Sequence, residues 1–390
     1  MEVRKLLQNE KFDARLISTL AFHQRMEDPE KQKSESEADL VEDWGAFDED
    51  GRLMAHIIRH HFEFRLDGQW VAGGGIGAVS TLPEYRERGA VRAIFSDLLR
   101  QAYREGEILS ALYPFNHGFY RKFGYETVRL KDTYRFPPSV LREYRFAGQA
   151  VQWQADGPAE PYLALYDRFA SRYNLAIRRD EKRMLEKHLR GDWKKDRKFA
   201  YLLQKDVRPV AYLIFQDIRH DPGAILSVQD AAWDGREGFL ALLGFLARFT
   251  ADYGTVEISL PVSLQLTSLI HAPDAYEISQ SAEWGYMVRA VNAEKLLALI
   301  RKPADCAFTV RVSDLLIPEN NGVWAVRGGS AARADGAEDL SVSIQALGQL
   351  ACGCVSLAEA ALREDVEING NESALERVFV RKPLWTADHY

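Results

Sequence analysis

The stretch that most constrains this chain is an apolar run that passes through a basic turn into an amphipathic helix: Val79-Ser80-Thr81-Leu82-Pro83-Glu84-Tyr85-Arg86-Glu87-Arg88-Gly89-Ala90-Val91-Arg92. Beyond Gly89, the apolar residues Val91, Ile94, Phe95, Leu98, Leu99, Ala102 and Tyr103 return at helical spacing, which places the turn at a helix N-terminus. The first amides of a helix have no intrahelical acceptor and lie at the positive end of its dipole, so an anion is favoured there. Arg86, Arg88 and Arg92 add formal positive charge. Strand, basic turn and helix in this order form a cradle for a pyrophosphate.

A second run, Ile108-Leu109-Ser110-Ala111-Leu112-Tyr113, reads as a strand and leads into Pro114-Phe115-Asn116-His117-Gly118-Phe119-Tyr120-Arg121-Lys122-Phe123-Gly124-Tyr125. The turn, Arg86-x-x-Gly89-x-Val91, resembles the coenzyme A loop of GNAT-type N-acetyltransferases, Gln/Arg-x-x-Gly-x-Gly/Ala, with Val91 as its departure. Phe119-Tyr120-x-x-Phe123-Gly124-Tyr125 resembles the second acyl-CoA signature of that superfamily. At 390 residues the chain is too long for one minimal domain of this kind and predicts two or three globular units. As a whole it resembles the Eis (enhanced intracellular survival) acetyltransferases. That resemblance implies an α+β (mixed α/β) fold: tandem GNAT-like domains, the second degenerate, plus a C-terminal sterol-carrier-like (SCP2-like) α+β domain. The expected boundaries are 1–150 for the acetyl-CoA-binding catalytic domain, 151–285 for the degenerate one and 286–390 for the last.

Composition narrows the class. Hydrophobic residues make up 46% of the chain, enough for sizeable cores, yet no apolar run is long enough to span a bilayer and no signal-type segment follows Met1-Glu2-Val3-Arg4-Lys5. A cytoplasmic protein without membrane attachment is expected. Cys306, Cys352 and Cys354 cannot form a fully paired disulfide framework and lack metal-ligand spacing, so reduced thiols and no metal are expected. A net charge of −7 argues against nucleic-acid binding and suits a cationic substrate.

Along the chain, helices are expected at 12–27 and 35–45, joined by the charged link from Asp28 to Glu37. Asp50-Gly51 and Asp67-Gly68 are hairpin turns between strands, while Gly73-Gly74-Gly75 reads as a turn without a ligand role. Further on, helices at about 161–172 and 180–190 precede paired strands at 199–203 and 210–215. Strand 225–234 enters helix 239–246 through Asp234-Gly235-Arg236-Glu237-Gly238, a strand-turn-helix that repeats the first without its basic turn. One active site per chain follows. The last part predicts helix 293–300, strands 307–312 and 322–326, and helices 344–350 and 358–362.

Acetyl transfer to an amine needs a neutral nucleophile, polarisation of the thioester carbonyl and a proton donor for the leaving thiolate. Val79, Ser80 and Thr81 can offer backbone groups to the acetyl carbonyl and the pantetheine arm. Glu87, Arg88, Gly89, Ala90, Val91 and Arg92 surround the pyrophosphate, and Phe115 and Asn116 border the pantetheine. A phenol with a pKa of about 10 stays protonated at neutral pH, which suits Tyr120 as general acid. Spacing singles out no base; His117 is near, but its pattern does not assign it that role. In Eis enzymes the base is the carboxylate of an inserted terminal aromatic residue, which the resemblance carries to Tyr390, with Asp388 and His389 beside the substrate. An α-carboxylate has a pKa of only about 3.3–3.7, so it needs burial or a water relay to act. Glu27, Asp28, Trp44, Phe22 and Met26 are candidates for acceptor selection. The resemblance implies a polyamine-like acceptor, aminoglycoside-type or lysine, attacking directly in a ternary complex, and a homo-oligomer, a hexamer in that family. The competing class is a lipid-binding or scaffolding protein whose GNAT domains are catalytically degenerate, to which Val91 and the missing second loop lend slight support and against which the intact Arg86, Arg88, Gly89 and Tyr120 weigh.

Overall fold

The computed structural model describes residues 1–23, 41–155, 157–191, 197–220, 223–271 and 277–390. They form two compact units, one of Met1–Val128, Gly285–Arg381 and Tyr390, the other of Arg129–Trp284 and Lys382–His389.

The first unit opens with β1 (Glu2–Lys5), α1 (Lys11–Ala21), β2 (Val41–Phe47), β3 (Leu53–Leu66) and β4 (Gln69–Thr81). Asp67 and Gly68 are both left-handed, φ 47° and 91°, the two-residue turn whose twist suits a hairpin, so Leu66 pairs with Gln69. Gly89 at φ 81° starts α2 (Ala90–Glu105), which buries Ile94, Phe95, Leu98 and Leu99, and Gly106 at φ 86° ends it. β5 (Leu109–Leu112), α3 (His117–Arg121) and β6 (Glu126–Thr127) follow.

In the second unit come β7 (Lys131–Phe136), β8 (Gln149–Gln152), α4 (Glu160–Ala170), β9 (Lys198–Lys205), β10 (Arg208–His220), β11 (Gly223–Trp233), α5 (Gly235–Leu246), β12 (Thr255–Pro261) and β13 (Ser279–Ala282). Their sheet runs β13-β7-β12-β11-β10-β9-β8. The chain then returns to the first unit with β14 (Met287–Ala290), giving a sheet ordered β1-β2-β3-β4-β5-β14-β6. The sheets share a plan: β4 is parallel to β5 and β5 antiparallel to β14, as β11 is parallel to β12 and β12 antiparallel to β7. The first sheet is thus completed by β14, which follows the whole second-unit block in sequence. The passages between units fall after Val128 and Trp284. Asp132, Tyr134 and Phe136 are buried in β7 while their neighbours are not, the alternation of a sheet strand with one face on the core.

The rest of the first unit comprises α6 (Ala293–Leu299), β15 (Ala307–Ser313), β16 (Gly322–Arg327), β17 (Ser330–Ala334), β18 (Leu340–Ser343), α7 (Ile344–Cys352), β19 (Val366–Ile368) and α8 (Glu372–Val378), around a sheet ordered β17-β16-β15-β18-β19. Arg289 of β14 is fully buried; it holds Asp314 through two hydrogen bonds of 2.8 and 2.6 Å and donates to the Phe123 carbonyl at 2.7 Å. The three cysteines are buried and not joined by disulfides.

Two expectations are corrected. The described part of the supposed helix 35–45 is the start of β2, because Trp44 and Ala46 alternate into the core; the remainder lies outside the described residues. Gly73-Gly74-Gly75 lie inside β4, where a side chain would collide: a β-carbon on Gly73 would meet the Leu109 carbonyl at 2.5 Å.

Candidate active site

The site is built from β4 outward, within the first unit. β4 pairs with β5 only from Gly73–Leu109 to Ile76–Leu112, because β5 ends before Pro114 while β4 runs on to Thr81. From Gly77 onward the β5-side edge of β4 therefore has no strand partner. On the other side, His56 pairs with Ser80 and Ile58 with Gly77, so Ala78 and Val79 together oppose Ile57. This is a β-bulge, and Ala78 carries the left-handed φ of 50° that goes with it. Val79 and Thr81 are half-buried on this strand and offer main-chain groups there. Ser80 is buried and its hydroxyl turns away from the open edge, 3.2 Å from Ser18 Oγ and donating to the Ala78 carbonyl at 3.0 Å.

Beyond β4, Glu87 at φ 64° and Gly89 at φ 81° curl the loop so that successive amides precede α2, whose first helical bond runs from the Ala93 N–H to the Gly89 carbonyl. The amides of Ala90, Val91 and Arg92 thus lack helical acceptors, an anion site in form. Arg86, Arg88 and Arg92 are exposed and pair with no carboxylate among the described residues; Arg88 lies over the Tyr85 ring at 5.4 Å. Ala90 itself is buried, which anchors the turn. The corresponding turn of the second unit differs: Asp234 and Glu237 begin α5, already paired with Arg168, Arg208 and Lys205. Carboxylates at that helix start oppose a phosphate.

On the β5 side, Asn116 caps α3 by accepting the Phe119 N–H at 2.9 Å, and Phe115 stands 67% exposed. Tyr120 is buried among Phe95, Phe115, Phe119 and Tyr125, with ring centroids 5.1–6.4 Å away. Burial and the neighbouring Tyr125 raise the pKa of the Tyr120 phenol, so it holds its proton at neutral pH. Its hydroxyl bonds to no described residue and is free to donate.

Tyr390 lies on the opposite face of the sheet from α2. Its ring packs against Phe62, His60 and Tyr113 at 4.9, 5.5 and 5.5 Å. The seat is made by alternate glycines of β4. A β-carbon on Gly75 would lie 2.6 Å from the Tyr390 ring, and one on Gly77 would lie 3.8 Å from its terminal carboxyl carbon and 3.3 Å from His60 Nε2. The terminal carboxyl therefore rests at the first β4 residue past the β5 pairing. Sequence reasoning missed His60 and these glycines; the available signal was the alternation of Gly73, Gly75 and Gly77, which removes side chains from one face of one strand.

Other expectations fare differently. Trp44 is core, Phe22 is exposed on the end of α1, and Met26, Glu27 and Asp28 lie outside the described residues. Asp388 is not available to a substrate: it is buried in the second unit and ion-paired to Arg179 at 3.0 Å and Arg183 at 2.8 Å. Burial works against its ionised form, but the Arg179 charge wins and holds its carboxyl well below the usual range. No group of three or more described His, Cys, Asp or Glu residues could hold a metal ion, and no described helix is long and apolar enough to cross a membrane.

Comparison with known proteins agrees with this plan. Residues 2–128 and 175–290 each match an acetyltransferase (GNAT) domain, and residues 289–387 match a sterol carrier protein domain. No curated protein gives a significant match. Among solved structures, a GCN5-related N-acetyltransferase from Anabaena variabilis shares 21% identity and a TM-score of 0.87, with 100% of each chain covered. A conserved protein of unknown function from Enterococcus faecalis, described as a probable N-acyltransferase, shares 20% at a TM-score of 0.87 over 98% of each chain. Eis1 from Mycobacterium abscessus shares 19% at a TM-score of 0.82 over 100% of each. The chain is a GNAT-type N-acetyltransferase. Its tandem GNAT domains and terminal sterol-carrier-like domain share the fold of Eis1.

Proposed function

We propose that the protein transfers the acetyl group of acetyl-CoA to a primary amine by direct attack in a ternary complex, at one site formed by the N-terminal GNAT domain. The observation that carries this reading is the terminal carboxyl of Tyr390 resting beside Gly77, where β4 outruns β5. The open β4 edge from Gly77 to Thr81 holds the pantetheine and acetyl carbonyl through main-chain groups, with Phe115 and Asn116 on the other side. The loop from Glu87 to Arg92 holds the pyrophosphate. Tyr120 donates to the leaving thiolate, and the Tyr390 carboxylate takes the proton of the attacking amine. Tyr120 lies with α2 on one face and Tyr390 on the other, so acid and base approach from opposite sides of the strand opening.

The acceptor class is a polyamine-like molecule, aminoglycoside-type or a lysine side chain. The second GNAT domain is catalytically silent, since Asp234 and Glu237 occupy its phosphate turn. The protein is cytoplasmic and works as a homo-oligomer, with the hexamer of the Eis type as its expected form. CoA release from acetyl-CoA by untagged protein, measured over aminoglycosides, simple polyamines and lysine peptides, tests the reaction and the acceptor together. Turnover should appear with multi-amine acceptors, fall at least a hundredfold in Tyr120→Phe with acetyl-CoA affinity retained, and vanish when residues are appended after Tyr390. A fully active extended chain would remove the terminal base.

A further inference from the structure

A carboxylate with a pKa of about 3.5 is a poor resting place for a proton taken from an ammonium near 10.4. The structure places a better one beside it. His60 sits on β3 directly across from Gly75, half-buried, with its ring tilted against that of Tyr390 at 5.5 Å and stacked on Phe62 at 5.6 Å. Its Nε2 and the terminal carboxyl carbon both lie within 4 Å of the point where a β-carbon on Gly77 would stand. A β-carbon there would stand in tight contact with Nε2, at 3.3 Å, and in van der Waals contact with the carboxyl carbon, at 3.8 Å.

We propose that His60 receives, through the Tyr390 carboxylate, the proton that the acceptor amine loses, an inference that rests on the terminal carboxylate acting at this site. An N–H bond of the ammonium breaks as a carboxyl O–H forms; that O–H then breaks as His60 Nε2–H forms, leaving an imidazolium beside a carboxylate restored to its anion. The freed amine lone pair attacks the thioester carbonyl and the C–S bond breaks. The second proton, shed by the attacking nitrogen, balances the one that Tyr120 gives to the thiolate. Moving the acceptor from about 3.5 to about 6.5 gains three pKa units, a thousandfold in the transfer equilibrium, and the adjacent carboxylate stabilises the imidazolium further.

On the His60 face of the sheet, the described titratable groups include His56, held by Asp43 of β2 at 2.8 Å and by Ser18 of α1 at 3.2 Å; Lys11 of α1, 3.4 Å from Asp43; Arg4 of β1, paired with Glu10 at 2.7 Å; Tyr113 after β5; and the Tyr390 carboxylate. Across from Phe62, His60 and Ile58, β4 presents Gly73, Gly75 and Gly77, and none of them carries a charge. Arg59, His61, Glu42, Glu105 and Glu107 form a separate network on the α2 face.

The test is the pH dependence of kcat/KM for CoA release in wild type, His60→Gln, His60→Ala with and without added imidazole, and a chain lacking Tyr390, each checked for an unchanged melting temperature. Wild type should show an acidic limb between about pH 6 and 8. His60→Gln should lose that limb, with kcat down at least tenfold and KM for acetyl-CoA within twofold; imidazole should restore His60→Ala severalfold. A wild-type limb and kcat in His60→Gln overturn the inference. If His60→Gln is neutral while the chain lacking Tyr390 is inactive, His60 alone is excluded; if that shortened chain is fully active, the terminal base itself falls.

Discussion

The Tyr390 ring lies so close over Gly75 that a β-carbon on that glycine would meet the ring at 2.6 Å and Phe62 at 2.4 Å. A strand glycine usually weakens a sheet; here its missing side chain is what lets the last residue of the chain reach the site. Gly75→Ala should push the Tyr390 ring off β4 and move its carboxylate. Because displacements of about 1 Å can cost a hundredfold in rate, kcat should fall ten- to a hundredfold. Acetyl-CoA affinity, which depends on the far end of β4 and on α2, should change less than twofold by calorimetry. Equal loss of both would mean that the sheet itself, rather than the seat, had been disturbed.

The loop before α2 makes a complementary prediction. Arg88 and Arg92 are exposed and pair with no carboxylate among the described residues, so removing them leaves no buried charge orphaned there and should not lower stability. Arg88→Ala/Arg92→Ala should raise the acetyl-CoA Kd about tenfold or more, with a weaker dependence on salt, while kcat at saturation stays within threefold. Gly89→Ala has open space around its β-carbon, but it must hold φ 81°, so a milder loss of affinity from strain alone is expected.

The hairpin at Asp67-Gly68 and the run 79–125 were legible in the sequence because their signals are local: a turn glycine, a helical stripe and a hairpin dipeptide each specify their own conformation. Asp67-Gly68, Gly89 and the α2 stripe all stand where those signals put them. What was illegible depends on partners distant in sequence. β7 and β14 are short strands whose neighbours, β12 and β5, lie more than a hundred residues away, so nothing local assigns either to its sheet. The seat of Tyr390 likewise needs β3, β4 and the last residue at once. Asp388 shows the converse error: proximity in sequence to the terminal residue suggested a role at the substrate, but burial beside Arg179 commits it to the second unit.

Gly124 is the clearest case of a motif residue with a structural cause. It has φ 84°, and a β-carbon there would fall 1.6 Å from Nη1 of the buried Arg289, inside the group that binds Asp314 and the Phe123 carbonyl. Gly124→Ala should displace that guanidinium and leave Asp314 buried beside a misplaced partner, at a cost of about 3–5 kcal/mol. Burial opposes the ionised Asp314, while Arg289 and Asn320 hold its carboxyl below the usual value. Urea unfolding should show the loss, with soluble yield as a second readout; wild-type stability would remove Arg289 as the reason for this glycine.

The α2-face network predicts a pH window for stability. His61 is raised to about 9, first by its hydrogen bond with Glu107 and then by Glu42. Glu42 is lowered to about 2: burial opposes the charge, but His61, Lys5 and Arg59 outweigh it. A raised histidine stabilises the fold fully below its unfolded pKa of about 6.5, and that contribution disappears as pH climbs through about 9. A depressed carboxylate works in reverse: its contribution is present above about 4.5 and is lost as pH falls towards 2. The pair therefore supports the first unit most between about pH 4.5 and 6.5. The melting temperature should decline from pH 6.5 to 9.5, modestly because the His61 side chain is 37% exposed and solvent screens it. His61→Gln keeps a hydrogen-bonding side chain without the charge, so it should be less stable than wild type at pH 6 and should converge with it by pH 9.5. Parallel curves at all pH values would assign the alkaline decline to another group.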